Sequence, residues 1–167
     1  YNAAGQKISE TDTLGRVTRF EYSPIGLLTR TTYADGSYET MNYDTESRLI
    51  SKTNELGQTS NLEYDAMGRL LCTIDPTGAR WESQYDSVGR KISDKDPLNR
   101  VTAYTFDNLD RITKVIRPDS SFTTNSFDAV GNLLSTVDAL GNLWAWEFDK
   151  LNRQVRAIQP NGASSTT

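Results

Sequence analysis

The 167-residue sequence contains no histidine and one cysteine, Cys72. The lack of histidine removes the side chain that most often serves as a general base or as a metal ligand. A single cysteine excludes an intrachain disulfide. The residues 21 positions before and after it are Ser51 and Ser93, so Cys72 is interpreted as a small strand residue rather than a nucleophile.

Long apolar runs are also missing, and none approaches the roughly 18 residues that a membrane-spanning helix needs. No signal peptide is visible. The formal net charge is −4 and the pI about 4.9, which argues against nucleic-acid binding because that function normally requires a basic surface. Hydrophobic residues make up 36% of the chain. This composition predicts a single sheet with a partly covered face, and not a thick two-layer core.

What the sequence does contain is a 21-residue repeat. The first residue of every 21-residue period is aromatic, without an insertion or deletion, although aromatics are only 10% of the sequence. The eight positions are Tyr1, Tyr22, Tyr43, Tyr64, Tyr85, Phe106, Phe127 and Phe148. Such self-similarity indicates a repeat array. The predicted units are residues 1–21, 22–42, 43–63, 64–84, 85–105, 106–126, 127–147 and 148–167, and we expect them to be a piece of a longer array.

Each unit carries two turn signals. With the aromatic as position 1, Asp is common at position 2 and Gly at position 5, as in Asp65 and Gly68 or Asp86 and Gly89. A type I turn favours Asp first, where its carboxylate accepts a backbone N–H, and Gly last, where φ is often positive. The same pattern recurs at positions 12 to 15. Positive φ is therefore predicted at Gly68, Gly78, Gly89, Gly131 and Gly141.

The segments between the turns predict strands. They are about six residues long and rich in Val, Ile, Thr and aromatic residues. The sequence therefore predicts an all-β antiparallel meander of β-hairpins. Position 8 is the steadiest apolar site of the first strand (Ile8, Ile50, Leu71, Ile92, Leu134, Val155), but alternation is too loose to assign an inner and an outer face. Sixteen strands with a spacing of about 4.8 Å between neighbours would form a sheet roughly 77 Å wide. Open sheets of more than about ten strands usually curl.

The signature Tyr-Asp-x-x-Gly-Arg, seen at Tyr64-Asp65-Ala66-Met67-Gly68-Arg69-Leu70 and again from Tyr85 and Asp86 to Gly89 and Arg90, resembles the Rhs/YD-repeat family. That family includes bacterial polymorphic toxins, insecticidal toxin complexes and the animal teneurins. The resemblance covers the whole chain. It implies a β-sheet that spirals into a hollow shell, which in the bacterial toxins encloses a C-terminal toxic domain. It also implies a secreted or cell-surface location. Nothing here matches the self-cleaving core region or a toxin domain of such proteins.

Several residues invite a chemical interpretation, but turn and sheet structure explains each of them better. The Asp column suggests calcium, but one Asp per turn is typical of turn capping, whereas calcium needs six to eight converging oxygens. Asp94 and Asp96 are the carboxylates closest to a catalytic pair, yet they do not stand out from the repeat. The arginines at position 6 are suited to phosphate or acidic sugars, but packing over an aromatic or pairing with a turn Asp is favoured. They are Arg48, Arg69, Arg90, Arg111 and Arg153.

Two functions follow from these observations. The first is structural: wall material of a shell, without enzymatic activity, cofactor or metal, whose partners are the rest of the shell and its cargo domain. The second is a module that binds carbohydrate or a cell-surface partner. Trp81, Trp144 and Trp146 are the candidate ligand contacts for the second function, although cross-strand packing of these aromatics is favoured.

Overall fold

A computed structural model describes residues 1–166. Every regular element in this range is a strand, and the strands form one open antiparallel sheet whose order is the order of the chain. The predicted all-β class and antiparallel meander are therefore confirmed. The strands are β1 (Ser9–Thr11), β2 (Val17–Tyr22), β3 (Leu28–Thr32), β4 (Tyr38–Tyr43), β5 (Leu49–Thr53), β6 (Thr59–Tyr64), β7 (Leu70–Ile74), β8 (Arg80–Tyr85), β9 (Lys91–Lys95), β10 (Val101–Phe106), β11 (Ile112–Ile116), β12 (Phe122–Phe127), β13 (Leu133–Val137), β14 (Leu143–Phe148), β15 (Gln154–Ile158) and β16 (Ser164–Thr166).

Contacts between residues divide the chain into two compact units, each of which is larger than a 21-residue repeat. The first, Tyr1–Glu82, contains β1 to β7 and the beginning of β8, and the second starts at Ser83 and contains the remaining strands. Residues 1–166 contain no helix with the length and apolar character of a membrane span.

A β-bulge recurs where six of the repeat aromatics close their strands: Tyr22, Tyr43, Tyr64, Phe106, Phe127 and Phe148. In the first unit Asn42 pairs with Ser51 but Tyr43 pairs with Leu49, so Ile50 is an extra residue without a partner in the register. The same shift occurs at Tyr64, which pairs with Leu70. Position 8, the steadiest apolar position of the sequence, is this bulge residue. The side chains there are more than a third exposed in four repeats: Ile8, Ile50, Leu71 and Leu134. A bulge leaves the extra side chain beside the ladder and not within a packed face.

The sheet has little core. Among the described residues, Cys72 at 3% exposure and Thr31 at 7% are the buried side chains. The accessible surface is 11126 Å², whereas a compact globular protein of this mass exposes about 8,300 Å². Burial raises the pKa of the Cys72 thiol, so the side chain is poorly suited to act as a nucleophile. With so little apolar burial, the contacts that hold one hairpin to the next must come largely from backbone ladders and from the turns.

Candidate functional site

The Tyr-Asp-x-x-Gly-Arg turn is the best-defined side-chain arrangement of the molecule. In the turn that follows β6, the Gly68 N–H donates to the Asp65 carbonyl (3.0 Å), and the Asp65 N–H donates to the Arg69 carbonyl (3.0 Å). One carboxylate oxygen of Asp65 accepts the backbone N–H groups of Met67 and Arg69, each at 2.9 Å. Asp65 therefore satisfies two backbone N–H groups of its own turn.

The residue at the end of each turn adopts the left-handed conformation. Gly68 has φ 81°, Gly78 87°, Gly89 95°, Gly131 105° and Gly141 83°, which confirms the predicted positive φ. Where glycine is absent, small or polar residues take the same conformation, with φ between 58° and 67°; these residues are Ser47, Asn99, Asp110, Ser120 and Asn152. Asn and Asp tolerate this region better than most side chains do.

The arginine after the turn pairs first with its own aspartate. Nε of Arg111 donates to Oδ2 of Asp107 at 2.7 Å, and the same contact recurs at 2.6–2.8 Å in the other Asp/Arg turns. These contacts lower the pKa of the carboxyl. For Asp107 the side chain of Arg111 is the main cause, partial burial opposes it, and the backbone N–H groups of Arg111 and Leu109 add to it. For Asp65 the backbone N–H of Arg69 is the main cause.

The same arginine also contacts the following hairpin. The guanidinium carbon of Arg111 lies 4.6 Å from the ring centre of Phe127, and Nη1 donates to the Asp128 carbonyl at 2.7 Å. Equivalent contacts join Arg48 to Tyr64 and Asp65, and Arg90 to Phe106 and Asp107. The side chains of these three arginines are only 22–29% exposed. Arg48, Arg90 and Arg111 therefore do both things that the sequence suggested: each pairs with its turn Asp and packs over an aromatic ring.

The repeat tyrosines reach back in the opposite direction. The Tyr64 hydroxyl donates to the Leu49 carbonyl, Tyr43 to Leu28, and Tyr22 to Lys7, each at 2.9 Å. Each acceptor is position 7 of the preceding repeat. The phenylalanines Phe106, Phe127 and Phe148 keep the ring but have no hydroxyl for this bond. The tyrosines thus bond to the preceding repeat and the arginines to the following one, and together they form the junction between successive hairpins.

Substitutions in the motif change this junction without removing it. Asn132, in place of arginine, donates to the Asp128 carboxylate (2.7 Å) and to the Asn152 side chain (3.1 Å). Asp110, in place of glycine, accepts a hydrogen bond from Nη1 of Arg90 at 2.9 Å. At both sites a hydrogen bond still crosses to the next hairpin.

The candidate ligand tryptophans are placed unequally. Trp81, in the first unit, is 45% exposed and pairs with Thr73. Trp144 and Trp146, in the second unit, are half-buried and pair with Thr136 and Ala157. Trp144 and Trp146 therefore offer a sugar ring less free surface than Trp81 does.

The carboxylates considered for catalysis already have structural partners. Asp94 accepts hydrogen bonds from Lys91 Nζ (2.9 Å), Ser83 Oγ (2.8 Å) and the Tyr104 hydroxyl (3.3 Å), whereas Asp96 caps its own turn and pairs with Arg100 (2.6 Å). Within residues 1–166, no three acidic or cysteine side chains come together in a way that would hold a metal ion.

The first unit also contains an open groove of about 670 Å³ between the β1–β2 hairpin and residues 33–35. Most of its charged lining is already paired, Lys7 with Glu10 and Arg16 with Asp12, and the Asp35 carboxylate accepts hydrogen bonds from the backbone N–H and the hydroxyl of Ser37. These charged side chains therefore stabilise the hairpin itself, and few polar groups of the groove are left to contact a ligand.

One set of residues was not singled out by the sequence reasoning: ten large apolar side chains that stand just before the left-handed residue of a turn. Leu140 at 88% exposure and Leu56 at 80% are examples. Four of them, Leu14, Leu56, Leu98 and Leu140, recur at a 42-residue spacing, which is a sequence signal that could have identified them.

Comparison with known proteins gives one family match. The model described as "RHS Repeat" matches residues 1–38, 43–80, 85–121 and 127–164. Successive matches begin 42 residues apart, so each covers two hairpins. A search of curated proteins finds no match.

Solved structures with the same fold include several that contain TccC3. One is described as TcdB2-TccC3-Cdc42 (TM-score 0.67, 18% identity, 95% of this chain and 10% of that chain). A second is TcdB2-TccC3-TEV (TM-score 0.68, 20% identity, 93% and 10%). A third is the Photorhabdus luminescens Tc holotoxin pore with a TccC3-D651A mutation (TM-score 0.68, 18% identity, 93% and 9%). At these identities the likeness shows the fold alone, and the chain spans about a tenth of each.

Proposed function

Because the chain belongs to the RHS repeat family, we propose that it is a wall segment of an Rhs-type shell that encloses a C-terminal toxin or effector domain. The family and the fold of its structural neighbours support a structural repeat scaffold. The enclosure of a cargo domain goes beyond that scaffold role and is the part that we propose. In this role the chain has no reaction to catalyse, and its partners are the remaining repeats of the shell and the enclosed cargo.

The observation that carries the proposal is the use of the motif residues. Asp65, Gly68 and Arg69 form a turn, and at the same repeat positions the Tyr64 hydroxyl and the Arg111 guanidinium hydrogen-bond to a neighbouring hairpin. Side chains that look suited to binding are thereby committed to holding the sheet together. A wall needs this kind of continuous connection along its length, because each repeat contacts mainly its neighbours.

The structural unit of the wall in this proposal is the 21-residue hairpin, repeated eight times from Tyr1. Strands β4, β6, β10, β12 and β14 each end at a repeat aromatic, at residues 43, 64, 106, 127 and 148. This regularity supports the division into eight units. The motif residues from Tyr64 to Arg90 have a structural role in it and do not form a ligand site.

The shell also explains why a thin sheet is adequate. A wall has to separate two volumes and to survive transport, and neither task requires a deep core. We place the intact shell outside the cell that makes it, by analogy with the toxin complexes that share its fold.

A protease-protection assay on the parent toxin tests the proposal. Deleting residues 43–84 removes two matched hairpins, and we expect the cargo domain to become sensitive to protease while the wild-type cargo stays protected. A cargo that stays equally protected after the deletion would contradict the wall function. Trp81→Ala serves as the matched control, since it leaves every hairpin in place.

The alternative function, carbohydrate binding, has Trp81 as its best-placed residue because 45% of that side chain is exposed. A glycan array with the isolated chain distinguishes the two functions. Specific saccharide binding that is lost in Trp81→Ala, Trp144→Ala or Trp146→Ala would favour a binding module, and no binding above background would favour the wall.

A further inference from the structure

Position 6 of the repeat, the site of the motif arginine, has an apolar residue only at Leu27. In the other repeats its residues are polar: Gln6, Arg48, Arg69, Arg90, Arg111, Asn132 and Arg153. A leucine side chain cannot donate a hydrogen bond. The junction between the second and third hairpins therefore lacks the donor that the motif arginine supplies at other junctions.

The motif arginines show which group this part of a junction accommodates. The guanidinium carbon of Arg48 lies 5.1 Å from the centre of the Tyr64 ring, and its Nη1 donates to the Asp65 carbonyl at 3.2 Å. Arg90 and Arg111 make the same two contacts in the second unit. At each of these junctions a guanidinium thus lies over the aromatic ring of the next repeat and donates to the carbonyl of the residue after it.

Beside Leu27 the structure contains a pocket of about 210 Å³. Tyr43 and Asp44, which correspond to Tyr64 and Asp65, are among the residues that line it. The rest of the lining comes from the turn before β3 and from β3 and β4, and all of it belongs to the first unit. The ring and the carbonyl that an arginine contacts elsewhere therefore border an open space at this junction.

The Asp44 carbonyl has capacity for one more hydrogen bond. It accepts the turn bond from the Ser47 N–H at 3.1 Å. The Asp65 carbonyl accepts the same turn bond and also the bond from Arg48, because a carbonyl oxygen has two lone pairs. Within residues 1–166, no side chain donates to the Asp44 carbonyl. The Asp44 carboxylate is a different case, since it already pairs with Arg48 at 2.6 Å.

We propose that this pocket, which we call the Leu27 pocket, binds an arginine side chain of another polypeptide. The guanidinium lies over the Tyr43 ring and donates to the Asp44 carbonyl, while the aliphatic part of the side chain contacts Leu27 and Ile25. The argument for arginine comes from the chain itself, which places a guanidinium on the same two groups at three other junctions. The proposal does not rest on the wall function, so either can fail without the other.

Charge and shape favour arginine over other ligands. The first unit, residues 1–82, contains 12 acidic and 8 basic residues and so has a net charge of −4, which attracts a cation and disfavours an anion. A planar guanidinium can lie flat on an aromatic ring while its N–H groups donate in the plane of the group. An ammonium group can also lie over a ring, but it does not match the planar geometry that the motif arginines use.

The number of contacts sets the expected affinity. One charge-assisted hydrogen bond and one cation–π contact correspond to a dissociation constant on the order of 1 mM. The Leu27 pocket therefore anchors one residue of a larger partner surface, a role for which arginine is enriched in protein interfaces.

A titration of the ¹⁵N-labelled chain followed by NMR tests the proposal. The probe is the peptide acetyl-Gly-Arg-Gly-amide, whose blocked ends carry no charge. The control peptide has citrulline in place of arginine, which keeps the shape of the side chain but removes its positive charge. Salt at about 0.15 M reduces unspecific attraction to the exposed carboxylates.

We expect saturable changes in chemical shift at Leu27, Tyr43 and Asp44, and at least tenfold weaker binding of the citrulline peptide. Changes that do not saturate and are spread over the acidic residues of the chain would overturn the proposal. Equal binding of the two peptides would overturn it as well, because the contact would then not depend on the cation.

Two variants use the repeat as its own control. Ser23→Asp combined with Leu27→Arg restores the complete motif, so the chain's own arginine fills the pocket; we expect Tm to rise by about 2–4 °C and peptide binding to be lost. Arg111→Ala empties the equivalent place in the second unit and should add a second set of shift changes, at Phe127 and Asp128.

Peptide binding that persists in the restored motif, or a restored motif without a gain in Tm, would contradict the assignment of the Leu27 pocket. If the restored motif does not fold, Arg111→Ala decides. A second binding site in Arg111→Ala supports the proposal, and its absence overturns the equivalence on which the proposal depends.

Discussion

Two arginines of the same motif should differ sharply in their contribution to stability. Arg111→Ala and Arg153→Ala each remove one Asp–Arg pair inside a turn, with Nε–Oδ2 distances of 2.7 and 2.8 Å. Arg111 also donates to the Asp128 carbonyl and lies over Phe127. Its side chain is 22% exposed, whereas that of Arg153 is 73% exposed. The comparison therefore isolates the contact between hairpins from the contact within the turn.

The size of the difference follows from the two extra contacts of Arg111. A hydrogen bond to a charged donor contributes about 1.5–3 kcal/mol, and a cation–π contact about 0.5–1 kcal/mol. Contacts made by one side chain are not fully additive. We therefore expect Arg111→Ala to lower the free energy of unfolding by about 2–3 kcal/mol more than Arg153→Ala does. For a chain of this size that corresponds to a difference in Tm of about 5–10 °C.

Thermal and urea denaturation, followed by circular dichroism and tryptophan fluorescence, measure both variants under one condition. Arg111→Met adds a second comparison, because its side chain keeps an apolar stem over Phe127 but loses the donor; its stability should fall between wild type and Arg111→Ala. Equal losses in Arg111→Ala and Arg153→Ala would refute the reasoning, since the contact with the next hairpin would then contribute nothing measurable.

Three further predictions concern the turns, the tyrosines and pH. Gly78 has φ 87° and open space where the Cβ of a larger residue would lie, so Gly78→Val should cost about 1–2 kcal/mol through backbone strain alone; Gly78→Asn should cost less, and equal Tm values would contradict this. Tyr64→Phe should lose about 1 kcal/mol with its bond to the Leu49 carbonyl, and Phe106→Tyr should not destabilise; a neutral Tyr64→Phe in urea titration would argue against the hydroxyl contact. The lowered carboxyl pKa values of Asp65 and Asp107 stabilise the fold above the unfolded pKa of about 3.9, and this contribution disappears as pH falls through the lower folded pKa. Tm should therefore be nearly constant from about pH 7 to 5 and fall below about pH 4; a marked fall between pH 7 and 5 would contradict the assignment.

The sequence by itself determined the local structure. Asp65, Gly68 and Arg69 lie within five residues, and the hydrogen bonds that define their turn join only residues 65–69. Turn chemistry of this kind depends on side-chain size and on φ, which are properties of each residue and its immediate neighbours. The repeat period, the strand segments and the positive φ of the turn glycines could therefore be predicted before any strand pairing was known.

The tertiary structure decided everything that depends on register. The bulge places Ile50 outside the ladder although its position is the steadiest apolar one in the sequence. The pairing of β4 with β5 and of β6 with β7 determines which side chains lie against each other. Arg48 reaches Tyr64 and Asp65 across 16 and 17 residues only because successive hairpins lie side by side. Composition and spacing do not contain these distances, since a shift of one residue in pairing would turn every side chain to the other face.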